Sequence, residues 1–264
     1  MRIATWNINS VRSRIDRLTD WLQRADVDVV ALQETKCRDD QFPALELSAM
    51  GYEVAHFGLN QWNGVAVLSR VGLEDITTSF AETQPRFGEP EALEARSIGA
   101  TCAGVRIWSL YVPNGRELGH AHYDYKLAWL DRLRQAGSEW LAADPDAQIA
   151  LTGDWNIAPE DEDVWDVAVF SSSTHVSPPE REAFRSIVAA GYADVVRPHA
   201  PGPGVYTYWD YTQLRFPRRE GMRIDFVLGS PALSARVGGA LIDREERKGK
   251  GASDHAPVIV ELAD

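Results

Sequence analysis

Met1-Arg-Ile-Ala-Thr-Trp6-Asn7-Ile8 and Ile149-Ala-Leu-Thr-Gly-Asp154-Trp155-Asn156-Ile157 are two apolar runs, one in each half of the chain, that both end in Trp-Asn-Ile. Each has the length and the β-branched content of a strand, and each is followed by polar residues. Binding and catalytic residues are commonly built where strands end. This similarity between the two halves of the chain therefore predicts two packed sheets that meet at a shared site.

Other short apolar runs between and beyond these two also have strand lengths: Val27–Leu32, Gly64–Leu68, Val105–Val112, Ile224–Leu228 and Ala256–Leu262. Three helical patterns lie among them: one with Ile15, Leu18, Trp21 and Leu22 on one face, one over about 121–142, and one opened by Pro178-Pro179 with Phe184, Ile187 and Val188 on one side. Many strands with a few helices predict a four-layered α/β sandwich of two packed, mostly antiparallel or mixed sheets flanked by helices. Residues 198–204 are rich in Pro and Gly and read as a surface loop, so a single domain over 1–264 is predicted.

The composition limits the class of protein. Of 264 residues, 44% are hydrophobic and 25% are charged, which excludes a disordered or fibrous chain. No apolar run approaches the ~18 residues that a membrane span needs, and Cys37 and Cys102 form no C-x-x-C motif. We therefore expect a cytoplasmic protein with reduced thiols and no membrane contact. The net charge of −12 argues against a simple nucleic-acid coat protein, although carboxylates gathered around a cation would make a site locally acidic.

Five segments place polar side chains directly after strands: Trp6–Asn9, Gln33–Lys36, Tyr111–Gly115, Gly153–Asn156, and Asp225 together with Ser253–Pro257. Taken alone, each is more simply a turn, an exposed acid or a structural histidine. Asp154 and Asn156 are two residues apart and would share a face of an extended chain. Asp254 and His255 would point to opposite sides, so Asp254 could face a metal while His255 pairs with Asp225.

The candidate ligands are mostly hard oxygen donors, which suit Mg²⁺ or Mn²⁺ better than zinc. A competing metal site is His120-Ala-His122 with Asp124 beyond it, although histidines in a loop are often simply exposed.

Taken together, the five segments resemble the exonuclease III type of apurinic/apyrimidinic endonuclease, within the endonuclease/exonuclease/phosphatase superfamily. Leu32-Gln33-Glu34-Thr35-Lys36 and Gly153-Asp154-Trp155-Asn156-Ile157-Ala158-Pro159 are similar to signatures of that family, and the resemblance extends to Ser253-Asp254-His255-Ala256-Pro257. Tyr206-Thr207-Tyr208-Trp209-Asp210-Tyr211 resembles the segment that holds the base-free sugar. The loop 215–222 does not align firmly.

The resemblance implies a metal-dependent phosphodiesterase that cleaves DNA 5′ to abasic sites, degrades or cleans 3′ ends, or does both, in base excision repair. It implies double-stranded DNA with abasic sites or blocked 3′ ends as the partner and a monomer as the active form.

The implied metal ligands are Glu34 and Asp254 with Asn7 or Asn9. The implied catalytic residues are Asp154 for the water, Asn156, Tyr111, Asn114 and His255 for the phosphoryl oxygens, and Asp225 to hold His255. Tyr208 and Trp209 would line a sugar pocket. Arg218 and Arg219 would bind DNA within a basic rim that includes Arg12, Arg14, Arg215, Arg223, Lys248 and Lys250.

Two alternatives remain open at this point. The same core could hydrolyse a non-DNA phosphate ester, or the chain could be a catalytically silent relative that binds nucleic acid. The silent relative predicts missing acids, whereas every matched acid is present here. Metal-dependent nicking of a duplex with one abasic site distinguishes the three hypotheses.

Overall fold

The computed structural model describes residues 1–263, which form two six-stranded sheets with helices on their outer faces. The strands are β1 (Arg2–Asn7), β2 (Val29–Gln33), β3 (Glu53–Phe57), β4 (Val65–Ser69), β5 (Glu74–Thr77), β6 (Ser97–Cys102), β7 (Val105–Tyr111), β8 (Ile149–Asp154), β9 (Ala193–Asp194), β10 (Asp225–Gly229), β11 (Val237–Ile242) and β12 (Val258–Leu262). The α-helices are α1 (Ile15–Ala25), α2 (Ala44–Ser48), α3 (Ala121–Ala143), α4 (Pro178–Ala189), α5 (Arg215–Arg218) and α6 (Pro231–Ser234).

The two sheets have matching topologies. The first has the order β11-β12-β1-β2-β4-β3 and the second β5-β6-β7-β8-β10-β9. β1 lies between antiparallel β12 and parallel β2, and β8 lies likewise between antiparallel β10 and parallel β7. The two strands that end in Trp-Asn-Ile thus occupy equivalent places in their sheets. The predicted fold class is confirmed.

Apolar side chains fill three layers between the four layers of secondary structure. Ile3 and Val67 of the first sheet pack against Ile107 and Val227 of the second. The outer face of the first sheet is covered by α1, and that of the second by α3 and α4. Because both faces are covered, β2 and β4 are buried along all of their residues, which explains their unbroken apolar sequences.

The three predicted helices are present, with small differences in their buried faces. In α1, Leu18, Trp21 and Leu22 are buried as predicted. In α4, Phe184 is buried, but Val188 is 40% exposed, so its predicted place on the packed side is wrong. The buried face of α4 consists of Glu180, Phe184 and Ile187. Among the described residues, no helix is both long and apolar enough to cross a membrane.

Candidate active site

The two parallel strand pairs bring polar residues from both halves of the chain to one edge of the sandwich. Asn7 ends β1 beside the end of β2, and Tyr111 ends β7 beside Asp154 at the end of β8. Because parallel strands end at the same edge, the residues that follow them lie together. They line a cavity of about 500 Å³.

Asn7 links the two sheets next to the carboxylates that line this cavity. Its side chain is buried, and Nδ2 donates to Glu34 Oε1 at 2.8 Å and to Asp154 Oδ2 at 2.9 Å. Its Oδ1 accepts from the Asn9 backbone N–H at 3.1 Å. With both amide protons and the carbonyl engaged, Asn7 fixes the spacing of the two carboxylates rather than facing a ligand itself.

Glu34 follows β2 with a left-handed backbone (φ 51°), which turns its carboxylate inward. Oε2 lies 2.7 Å from Lys36 Nζ. Burial alone would raise the pKa of Glu34, but Lys36 and the Asn7 amide together lower it below the usual value. Glu34 is therefore ionised at neutral pH and offers a hard oxygen donor.

A carboxylate–imidazole–carboxylate arrangement lies beside Glu34. His255 Nδ1 is 2.9 Å from Asp225 Oδ2, and His255 Nε2 is 3.9 Å from Asp154 Oδ2. Burial would lower the pKa of His255, but the carboxylates of Asp225 and Asp154 raise it, so the imidazole is protonated at neutral pH. Burial raises the pKa of Asp154, and the neighbouring Asp225 and Glu34 charges raise it further.

Asp254 lies on another wall of the cavity. Its Oδ1 accepts from Asn9 Nδ2 at 2.9 Å, and Asn9 Oδ1 accepts from Lys36 Nζ at 2.6 Å. The Asn9 side chain therefore fixes the positions of Asp254 and Lys36 through these two hydrogen bonds. Neither Asn7 nor Asn9 lines the cavity, and the side-chain oxygen of each accepts a hydrogen bond within the protein, so their role as direct metal ligands stays a prediction.

Two amides and an unpredicted histidine form the opposite wall. Asn114 Nδ2 donates to Asn156 Oδ1 at 3.2 Å, and His175 Nε2 lies 3.0 Å from Asn156 Oδ1. Asn156 has a left-handed backbone (φ 50°), and its N–H donates to Asp154 Oδ1 at 2.9 Å. The chain therefore turns after Asp154 instead of continuing extended, so the predicted shared face of an extended chain is wrong. Burial lowers the pKa of His175 to about 3, so it is neutral.

The Tyr111 phenol completes the wall between these amides and Glu34. The Arg96 guanidinium lies 4.7 Å from the centre of its ring. Burial, with the nearby Glu34 carboxylate, raises the pKa of Tyr111 well above its usual value. The phenol therefore stays protonated and can donate a hydrogen bond.

The donor set fits a divalent cation. Within residues 1–263, one atom each of Glu34, Asp154 and His255 lie within 4.8 Å of one another, and the two carboxylates of this group can bind a cation while His255 is protonated. The carboxylates grouped around His255 belong to Glu34, Asp154, Asp225 and Asp254, and they outnumber the cations that pair with them, which are Lys36 and the protonated His255. A bound cation would balance this uncompensated negative charge. Asp254, which was predicted to share the metal with Glu34, is outside this closest group.

The two aromatic residues predicted to line the site have different positions. The Tyr208 ring lines the cavity, 4.9 Å from the His255 ring. Trp209 is 1% exposed and packs against Tyr206 and Phe216 in a small core. The predicted contact of Trp209 with substrate is therefore wrong, because its side chain packs into that core while its neighbours Tyr208 and Asp210 line the cavity.

Several residues of the predicted basic rim are paired with acids or buried in the protein, and only some of them are free to contact DNA. Arg215 and Arg218 both pair with Glu220, Lys248 pairs with Glu245, and Arg223 is buried against Asp194. Arg219 is exposed at the end of α5. Arg12 borders a separate depression, and Arg14 donates to the Asn9 carbonyl and to Tyr211.

The alternative metal site at His120 and His122 is not formed. His120 caps α3, its Nδ1 accepting from the His122 N–H at 2.9 Å, and His122 Nδ1 accepts from the Gly115 N–H at 3.1 Å. The two rings are thus used to fix the loop before α3.

Sequence reasoning missed His175, Lys126 and Arg96. His175 lies in a Ser/Thr-rich stretch with no periodic signal. Lys126 could have been found, since it lies between Tyr123 and Leu130 on the apolar face of α3, where a charge is unexpected.

The sequence matches the endonuclease/exonuclease/phosphatase family over residues 4–255, and the chain belongs to that family. It is 29% identical over 267 residues to an exodeoxyribonuclease of Bacillus subtilis, covering 98% of each chain. The fold is similar to a 3′ phosphatase from Neisseria bound to a product DNA hairpin, with 34% identity, a TM-score of 0.91 and coverage of 100% and 99% of the two chains. It is also similar to an AP endonuclease from Archaeoglobus fulgidus, with 32% identity, a TM-score of 0.90 and 99% coverage of both. These relatives confirm the resemblance inferred from the five segments.

Proposed function

We propose that the protein is a metal-dependent hydrolase of DNA phosphate esters that cleaves the backbone 5′ to abasic sites, processes 3′ ends, or does both. The observation that carries the proposal is the cavity in which Glu34 and the Asp154–His255–Asp225 group lie within reach of one phosphate. The family and the named activities of its relatives support DNA as the substrate.

The residues divide into two groups by what they offer a phosphate. Asp154, whose raised pKa brings it near neutrality, would orient the attacking water and accept its proton. His255, protonated and held by Asp225, would donate to a phosphoryl oxygen on which charge develops. Tyr111 and Asn114 would donate to the remaining oxygens, since both groups line the cavity.

We propose Mg²⁺ or Mn²⁺ as the cofactor, held chiefly by Glu34. Both ions favour the carboxylate oxygens found here. When bound, the cation would supply electrostatic stabilisation of the negative charge on the phosphate.

The proposed partner is double-stranded DNA with an abasic site or a blocked 3′ end, and we expect the protein to act as a monomer. The Tyr208 ring beside His255 offers an apolar surface for a base-free sugar. Light scattering of the purified protein with and without duplex tests the monomer.

The experiment that tests the function uses three labelled DNA substrates: a duplex with one abasic site, a nicked duplex ending in a 3′ phosphate, and a duplex with a recessed 3′ end. We expect cleavage of at least one in Mg²⁺ or Mn²⁺ and none in chelator. A His255→Ala protein is the matched control for a contaminating nuclease. If all three DNAs stay intact while a simple non-DNA phosphate ester is hydrolysed, the proposed substrate is wrong.

A further inference from the structure

Lys126, on α3, has a completely buried side chain next to the candidate active site. Its Nζ lies 2.6 Å from the Asn156 carbonyl, 3.2 Å from the Asn114 carbonyl and 2.5 Å from Glu180 Oε1. These three acceptors use all three N–H donors of the ammonium group. The lysine therefore contacts the backbones of the two amide residues that line the opposite wall of the cavity.

Glu180 is as fully buried as Lys126 and compensates its charge. It also accepts from the backbone N–H of His175 at 2.9 Å and of Ser177 at 3.2 Å. The pair thus joins α3 to the start of α4 and to the loops carrying Asn114, Asn156 and His175. Buried ion pairs add little stability over apolar residues of the same size, so stability alone does not explain why one is placed here.

One of the two backbones that Lys126 holds, that of Asn156, has a conformation that residues other than glycine rarely adopt. Asn156 has φ 50° and Gly115 has φ 93°, both in the left-handed region. A side-chain carbon on Gly115 would come within 3.3 Å of the Lys126 side chain. Such conformations persist only when surrounding contacts impose them, and here the ammonium group provides contacts to the carbonyls of both Asn114 and Asn156.

We propose that Lys126, with Glu180 as its counter-ion, is a positioning residue for catalysis: it holds the Asn114 and Asn156 backbones so that their side-chain amides meet the phosphate. This inference rests on the proposed function. It predicts that Lys126 acts through the amides, and that metal binding at Glu34 is independent of it.

The test is a double-mutant cycle between the ion pair and Asn156, measured as kcat on the best of the three DNA substrates. The pair is replaced by Lys126→Met with Glu180→Gln, which removes both charges and keeps the helix-capping acceptor. We expect kcat to fall about tenfold or more with an unchanged Mg²⁺ dependence, and Asn156→Ala to cost much less in this background than alone. Additive losses would overturn the proposal.

Glu246→Gln is the matched control, because Glu246 is also buried and paired with arginines but lies away from the cavity. It should lower the melting temperature and leave the Asn156→Ala penalty at full size. If the double variant does not fold, Lys126→Arg keeps the charge and donors to both carbonyls. We expect it to retain most of kcat, and a large loss of kcat with an undiminished Asn156→Ala penalty would overturn the proposal.

NMR of the side-chain amides separates this proposal from the proposed function. The Asn114 and Asn156 amide signals should shift in the pair variant and stay unchanged in Glu246→Gln, whether or not DNA is cleaved. Unshifted signals would overturn the positioning role. A wild-type protein that cleaves no DNA would count against the proposed function alone.

Discussion

Glu34 is the residue on which metal binding should depend most. Its pKa is lowered and its Oε2 lies beside Lys36, so removing the carboxylate leaves a cation facing the metal position. We expect Glu34→Ala to need at least about tenfold more Mg²⁺ for half-maximal activity, with partial rescue at high metal concentration. Glu46→Ala, an exposed acid on α2, is the control. Normal activity with an unchanged metal titration would contradict the assignment.

His255 and Asp225 should behave as one unit. The 2.9 Å contact between them holds the imidazole in its protonated form. We therefore expect His255→Ala and Asp225→Ala each to lower kcat about 100-fold or more, and the double variant to be little worse than either. Losses that multiply in the double variant would show that the two residues act separately.

His122 makes a pH-dependent contribution to stability. Burial, with the nearby Arg96 charge, lowers its pKa from 6.5 to about 4. Between pH 6.5 and pH 4 the unfolded chain binds a proton that the folded protein excludes. The free energy of unfolding is therefore highest above pH 6.5 and falls as the pH drops towards 4. We expect His122→Asn, which keeps an acceptor for the Gly115 N–H, to reduce this loss.

The measurement is the free energy of unfolding of both proteins from pH 8 to pH 4. The wild type should lose up to about 3 kcal/mol more than the variant across that range, since each pKa unit corresponds to about 1.4 kcal/mol. Parallel curves would contradict the assignment. The variant should keep the wild-type metal requirement, because His122 is not placed as a ligand.

At the scale of elements, the apolar runs of the sequence predicted the inner strands except β6, and they predicted none of the edge strands. The four edge strands, β3, β5, β9 and β11, were all missed, as was β6. Edge strands are half-exposed and need no long apolar run, so periodicity does not mark them. β6 is buried, but its Gly99 leaves space for the Trp108 ring, and a glycine weakens the strand signal.

The site was more predictable than the edges because its residues follow the inner strands. Polar side chains after β1, β2, β7 and β8 are conspicuous in sequence, and the parallel pairing of these strands brings them together. The position of Trp209 and the pairing of Arg223 with Asp194 depend on contacts between segments distant in sequence. No local pattern encodes those contacts.

The short helix α5 and the residue that follows it should contact DNA, although Arg218 also pairs with Glu220. Arg218 is more than half exposed, and Arg219 has a left-handed backbone at the helix end. We expect Arg218→Ala with Arg219→Ala to weaken duplex binding and to flatten the slope of log affinity against log salt by up to about one unit per lost phosphate contact. Binding is measured in chelator to prevent cleavage.

The control for this double change is Arg132→Ala with Arg134→Ala, since both residues lie on α3 and pair with surface acids away from the cavity. An unchanged slope in the Arg218/Arg219 variant would mean that the rim lies elsewhere, and Arg12 beside the exposed Trp62 would be tested next.

At the scale of the whole molecule, we propose that residues 1–264 unfold as a single domain. The core between the sheets takes side chains from both halves of the chain, including Ile3, Val67, Ile107 and Val227. Separating the halves would expose that core, so we expect one calorimetric transition whose calorimetric and van't Hoff enthalpies agree. Two resolved transitions, or a stable proteolytic half, would contradict this.

The order of the strands has a consequence during protein synthesis. β12 lies between β1 and β11, so the first sheet stays divided until that strand leaves the ribosome. Asp254 and His255 immediately precede β12, whereas Glu34 and Asp154 emerge much earlier. A nascent chain that has reached β10 therefore carries Glu34 and Asp154 without the His255 imidazole that lies beside Asp154. A translation product that stops before β12 would therefore lack the imidazole that we propose donates to the phosphate.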